Sequence, residues 1–91
     1  IPDESEGLID HIRNIKGVKI ACLFEEIEPE LTRVSLRSKL AELDVSTIAV
    51  SFGGGGHLSA AGARIPGKQM TIQRQVLAAV KKSLATTNGK S

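Results

Sequence analysis

The sequence has no Trp and no Tyr, and its aromatic rings are limited to Phe24 and Phe52. Proteins that hold single-stranded nucleic acid regardless of sequence stack successive bases on aromatic side chains, so that class is excluded. Cysteine is almost absent as well: Cys22 stands alone, inside the apolar run Val18 to Phe24. One cysteine cannot build an internal disulfide framework, and in an apolar run it reads as a buried thiol in a reducing compartment, which makes the cytoplasm the expected location. No apolar stretch approaches the roughly 18 residues of a membrane span, and the acidic start Ile1 to Glu6 is the opposite of a basic signal-peptide opening, so no membrane partner is expected. An excess of one charge is missing too. Twelve basic and ten acidic residues leave a net charge of +2, too balanced for a broad electrostatic grip on long nucleic acid. Any anion must be bound locally. With His11 and His57 the only histidines, no protein-built transition-metal site can be assembled, and no cofactor is expected within this chain.

What remains is an ordinary globular composition, 91 residues with 41% apolar and 24% charged side chains. A chain of this size buries roughly 60–70% of its unfolded surface, enough for one core without staples. Because it begins at Ile1 without an initiator Met, it is expected to be a fragment of a larger protein.

Periodicity supplies the elements. Leu8, Ile12 and Ile15 recur at helical spacing after a capping-box pair, Asp3 and Glu6, and Gly17 is a candidate C-cap. Val18 to Glu26 alternates with apolar residues on both faces and is expected to be a central strand. Glu28-Pro29-Glu30 marks a turn. In Leu31 to Ser38, Val34 and Leu36 share one face while Arg33, Ser35 and Arg37 share the other, predicting a strand with one core face and one polar face. Asp44 can cap a short helix whose apolar side is Val45, Ile48, Ala49 and Phe52. That helix leads into Gly53-Gly54-Gly55-Gly56-His57. Ala63-Arg64-Ile65 reads as a short strand closed by Pro66-Gly67, and Ile72, Val76, Val80 and Leu84 form the stripe of a helix over Thr71 to Leu84, with Lys81 and Lys82 near its C-terminal dipole end. The element order predicts a single α/β (α+β) domain over residues 1–85, a small mixed sheet flanked by helices, followed by a disordered tail over 86–91.

Two segments carry chemistry. Four consecutive glycines lose more conformational entropy on folding than any other tetrapeptide. They stay ordered where positive φ is needed or where backbone N–H groups must approach a phosphate or carboxylate. The small residues Ser59 to Gly62 after His57 would let a turn or helix begin against the sheet and aim amides at that anion. The alternative is a flexible connector. The glycines fit neither the dinucleotide-binding G-x-G-x-x-G pattern nor a P-loop. Ser35 and Arg37 add a hydroxyl and a planar, two-pronged guanidinium suited to phosphate, and His57 can donate to the same oxygens. Arg33 fits a solvated strand face better than a ligand contact. The carboxylates of Asp3 to Glu6 and Glu25 to Glu30 fit capping and solvated roles. No nucleophile–base pair is evident, so no catalytic residue is expected.

Ser35-Leu36-Arg37-Ser38, followed by Phe52-Gly53-Gly54-Gly55-Gly56-His57 and Ala60-Ala61-Gly62, resembles the DHH-associated C-terminal domain of the DHH phosphoesterase family. The resemblance covers nearly the whole chain and is nearest the nano-RNase and oligoribonuclease branch, which also removes phosphate from phosphoadenosine phosphate. It implies a substrate-binding domain in which Ser35, Arg37, Gly54, Gly55, Gly56 and His57 contact a nucleotide or short oligonucleotide. It also implies a partner N-terminal domain, absent from this chain, whose Asp-His-His motif holds two manganese ions and hydrolyses the phosphoester. Asp10-His11-Ile12 is not that motif, so this chain is expected to be inactive by itself. A homodimer stays open. So do a cyclic di-AMP phosphodiesterase or sensor, and the C-terminal domain of alanyl-tRNA synthetase, which is less similar around His57 and Ala60-Ala61-Gly62. Phosphate contacts position a ligand without reading its bases, so RNA, DNA and mononucleotide are not separated.

Overall fold

The computed structural model of the chain describes residues 19–40 and 42–88. The helix expected around Leu8 to Ile15 lies outside the described residues. Strands β1 (Ile20–Glu28), β2 (Leu31–Ser38), β3 (Gly55–His57) and β4 (Ala60–Pro66) form one sheet in the order β1-β2-β4-β3, with helix α1 (Val45–Ser51) before β3 and helix α2 (Gln69–Asn88) at the end. Every pairing is antiparallel. The sheet is therefore not mixed, because each pair of strands adjacent in both sequence and space is joined by a two-residue turn and no parallel crossover intervenes. This is an α+β domain.

β1 departs from the expectation of a central strand. Among the described residues it pairs only with β2 and lies at the sheet edge. Its alternation was a sound reading of faces: Ala21 is buried and Cys22, Leu23 and Phe24 are half-buried. Burial of faces, however, carries no information about lateral order, which is set by backbone pairing. Burial also pushes the Cys22 thiol up from its ordinary range, because desolvation disfavours the thiolate. Pro29 and Glu30 make the turn between β1 and β2. Glu30 takes the left-handed conformation (φ 64°), and its carbonyl accepts from Gly67 N at 2.7 Å.

Asp44 caps α1 as its position suggests, accepting from Ser46 N at 2.8 Å and also from the Ser46 hydroxyl. These bonds, that of the hydroxyl foremost, hold its carboxyl below the usual carboxylate range. At the other end the chain folds back through Gly53 N to Val50 O (2.9 Å) and Gly54 N to Ala49 O (2.8 Å). The glycine run is thereby laid beside β4.

Helix α2 buries the predicted stripe, Ile72, Val76 and Val80, against Val34 and Leu36 of β2, Ala61 and Ile65 of β4, and Val45, Ile48 and Ala49 of α1. It begins two residues earlier than Thr71 and runs to Asn88, through the start of the expected tail. Lys81 and Lys82 therefore lie more than a turn before its end, where the dipole offers them little. Both helices pack on the Val34–Leu36 side of the sheet. No helix among the described residues is long and apolar enough to cross a membrane.

Candidate functional site

Residues directly opposite in an antiparallel ladder project to the same side of the sheet, so the register sorts the side chains into rows. One row runs Ala21, Arg37, Ala60, His57; the next runs Leu23, Ser35, Gly62, Gly55; the third runs Glu25, Arg33, Arg64. All lie on the face away from α1 and α2. A cleft of about 580 Å³ opens over it, with Ser35, Arg37, Arg33, Arg64 and the run Gly53 to Gly56 in its walls.

Ser35 and Arg37 come together there, and neither is a solvated strand residue: they are 4% and 9% exposed. Arg37 Nη1 donates to the Leu36 carbonyl at 3.0 Å, which fixes the guanidinium at one end of the cleft. The Ser35 hydroxyl has no hydrogen-bond partner among the described residues. A buried hydroxyl without a partner costs on the order of 1–3 kcal/mol, and natural structures leave few such groups. Arg33 differs from both. Its Nε and Nη2 donate to Glu25 Oε1 at 2.9 and 2.6 Å, a cross-strand pair with both side chains about a third exposed.

The second half of the glycine run, Gly55 and Gly56, is strand, Gly53 and Gly54 are the link that leads to it from α1, and the run does not stand ahead of a helix. Leu58 and Ser59 form the turn of the β3–β4 hairpin, so a strand and not a helix follows His57 directly. This also removes the flexible-connector reading. Two of the glycines are demanded by packing. A Cβ on Gly54 would stand 2.1 Å from Gly62 O and 2.6 Å from Ala63 Cβ, and one on Gly56, which has φ 144°, would stand 2.5 Å from Ala61 Cα. Gly55 is unlike them: its φ is outside the left-handed region and a Cβ there would meet nothing within 4 Å. Nothing among the described residues asks for glycine at position 55, which lines the cleft. Among the described residues β3 is also a sheet edge, so alternate N–H and C=O groups point away from β4.

His57 shares a row with Arg37 but is exposed at the end of β3 and does not line the cleft. One strand, β4, lies between it and Arg37, two strand spacings or about 10 Å. Arg64 is a lining residue that the sequence reading passed over. The signal was present in the alternation of Ala61, Ala63 and Ile65 with Gly62 and Arg64, which places Arg64 on the polar face. Among the described residues no three His, Cys, Asp or Glu side chains gather into a group able to hold a metal ion. A two-metal centre does not fit this donor set.

Comparison with known proteins adds three likenesses. The DHHA1 domain profile matches residues 1–86. The chain is 32% identical over 83 residues to the bifunctional oligoribonuclease and PAP phosphatase NrnA of Thermus thermophilus, covering 90% of this chain and 25% of that protein. It superposes with a TM-score of 0.75 and 31% identity on the crystal structure of an exopolyphosphatase-related protein from Bacteroides fragilis, covering 90% of this chain and 24% of that one. The chain thus spans about a quarter of the length of each.

Proposed function

The chain belongs to the DHHA1 domain family, and from that premise we propose that its cleft grips the phosphate of a nucleotide or short oligonucleotide and presents it to a separate catalytic domain of the same protein. One observation carries the proposal: a buried Ser35 hydroxyl, without a partner among the described residues, stands beside a fixed Arg37 guanidinium on the wall of an open cleft. A phosphate oxygen would satisfy the hydroxyl and receive the charge-assisted bonds at which Arg excels. The relatives' names point the same way. An oligoribonucleotide, PAP and a polyphosphate have phosphate in common and little else.

In this scheme Gly54, Gly55 and Gly56 let the ligand lie against bare backbone, with the edge amides of β3 as further donors. His57 stands outside the cleft wall at the end of β3 and would meet only a ligand that extends beyond the cleft. The domain performs no bond cleavage. Its contribution is to hold the scissile phosphate in one place and orientation, replacing a bimolecular encounter by a positioned one. The two manganese ions expected of this family belong to the other domain, and no step here depends on them.

Calorimetric titration of the chain with a nucleoside 5′-monophosphate tests the proposal, with Arg37→Ala and Ser35→Ala as variants and thermal melts as the folding control. Binding by the parent chain and a loss of about ten-fold or more in each variant is expected, since a hydrogen bond to a charged group contributes about 1.5–3 kcal/mol. A folded parent chain that binds no phosphate-bearing ligand would overturn it. The chain alone is expected not to hydrolyse phosphoesters when supplied with manganese; turnover by the purified chain would refute the division of labour.

A further inference from the structure

At nine residues β1 is the longest strand of the sheet, and among the described residues its outer edge has no neighbour. Which backbone groups face that edge follows from one bond. Lys39 N donates to Lys19 O at 2.8 Å, and Lys19 stands opposite Lys39, next to the Ile20–Ser38 pair, so it belongs to a hydrogen-bonded pair. Such pairs alternate along an antiparallel ladder with pairs that exchange no bonds. Ala21, Leu23 and Glu25 therefore turn their N–H and C=O groups toward β2, and Ile20, Cys22 and Phe24 turn theirs outward. The Phe24 carbonyl bears this out: it accepts from the Gln69 side chain at 3.3 Å and keeps a second lone pair. Folded proteins blunt open edges with charges and bulges. Here both lie at the far end, in Glu25, Glu26 and Glu28 and in the register shift between Glu26 and Glu28. From Ile20 to Phe24 the edge carries no charge, and its side chains are buried or half-buried.

We propose that this edge pairs with the same edge of a second copy of the chain, antiparallel and centred on Cys22, so that two copies share one continuous sheet. A two-fold axis allows any residue of the edge to stand at the centre, and charge selects among them. With Cys22 opposite the partner's Cys22, Ala21 meets the partner's Leu23, Ile20 meets the partner's Phe24 and Lys19 meets the partner's Glu25. The outward groups of Ile20, Cys22 and Phe24 then exchange both N–H···O bonds in each of their pairs. Lys19 is exposed, and Glu25 has Oε2 to spare, since Arg33 takes Oε1 alone. Moving the centre to Leu23 or Phe24 sets Glu26 against Ile20 or Cys22, and moving it to Glu25 sets that carboxylate against itself. Moving it to Ala21 or Ile20 sets Lys19 against Leu23 or Ala21. Opposed residues project to one side of a sheet, so both clefts open on the same side of the joined sheet and the helices cover the other. β1 contributes no residue to the cleft wall, and the pairing stands or falls independently of the phosphate reading.

Sedimentation velocity of the 91-residue chain under reducing conditions should show monomer passing to dimer as concentration rises through the micromolar range into the millimolar, because one strand pairing makes a small interface. Hydrogen exchange over the same concentrations identifies the surface. The Ile20, Cys22 and Phe24 amides should gain protection as the dimer forms, while those of Ala21, Leu23 and Glu25, bonded to β2, stay protected throughout. Lys19→Glu sets carboxylates against each other at both ends of the interface and should weaken the dimer about ten-fold. Adding Glu25→Gln, which keeps an acceptor for Arg33, removes the repulsion and should recover most of that loss. Because Lys19 is exposed, the melt of the dilute Lys19→Glu chain should match the parent's. A chain that stays monomeric, or one that dimerises while the three outward amides exchange freely, would overturn the proposal. So would protection of those amides at every concentration, which would show the edge already covered from within the chain. A dimer indifferent to Lys19→Glu would be paired in another register and would overturn it as well.

Discussion

The two faces of β2 are equally buried and chemically opposite. Val34 and Leu36, 1% and 2% exposed, are covered by hydrocarbon from α1 and α2, whereas Ser35 and Arg37 are scarcely more exposed on the side where no described helix packs. On the first face the apolar side chains pack against apolar neighbours. On the second a hydroxyl has no partner among the described residues, and a glycine stands where a Cβ would meet none of them. Burial therefore does not separate a structural face from a binding face. The discriminating feature is whether the fold itself satisfies what it buries.

The largest expected effect tests the packed face. Leu36→Ala should lower stability by about 2–5 kcal/mol in urea denaturation, the usual cost of a truncated core side chain and the cavity left behind. Ser35→Ala, one residue away, should leave the midpoint unchanged or raise it, because it removes an unsatisfied hydroxyl, yet it should weaken phosphate binding. Equal destabilisation by both would erase the distinction between the faces.

The glycine strand permits a sharper version within three residues. Gly54→Val forces a Cβ into the Gly62 carbonyl and Ala63 and should detach β3, lowering the melting temperature by several degrees. Gly55→Val meets no neighbour and puts a β-branched residue into a strand, where it is welcome. It should melt like the parent and lose binding. Normal binding by a folded Gly55→Val would show that the glycine strand does not touch the ligand. Next in size comes the contrast of arginines: Arg37→Ala should reduce affinity about ten-fold or more, and Arg33→Ala two-fold or less, since Arg33 is committed to Glu25 in a pair worth about 0–1 kcal/mol.

These contrasts also explain what the sequence could disclose. The strand over Leu31 to Ser38, the helix after Asp44 and the stripe of α2 were legible because each is written in local period. The union of Ser35 and Arg37 in one place was legible for the same reason. The edge position of β1 was not, because lateral order depends on which strands pair. The glycine run misled for a related reason. Consecutive glycines have no side-chain alternation, so nothing in them announces a strand, and only the register against β4 separates Gly54 and Gly56, excluded by contact, from the unconstrained Gly55. Arg64 needed the β2–β4 register before its alternation acquired meaning.

The smallest expected effect concerns α1, whose core side joins the packed face and whose C-terminal end delivers the glycine strand through Gly54 N to Ala49 O. Its cap, Asp44, is fully exposed, and the hydrogen bonds it accepts, chiefly from the Ser46 hydroxyl, lower its carboxyl below the ordinary value. A carboxyl with a depressed folded-state value stabilises the fold above its unfolded value and loses that contribution as pH falls through the folded one. The window therefore lies below about pH 4, the unfolded carboxylate value. On acidification through it, the Gly54 amide should lose hydrogen-exchange protection relative to amides of β2, because the loosened α1 carries β3 with it while the β1–β2–β4 ladder stays paired. Asp44→Asn keeps a competent cap at neutral pH but has no carboxyl to titrate, so its relative Gly54 protection should stay level across the same window. If Gly54 and the β2 amides lose protection together in the parent, α1 and its glycine strand are not a separable unit, and the two faces of the sheet open as one.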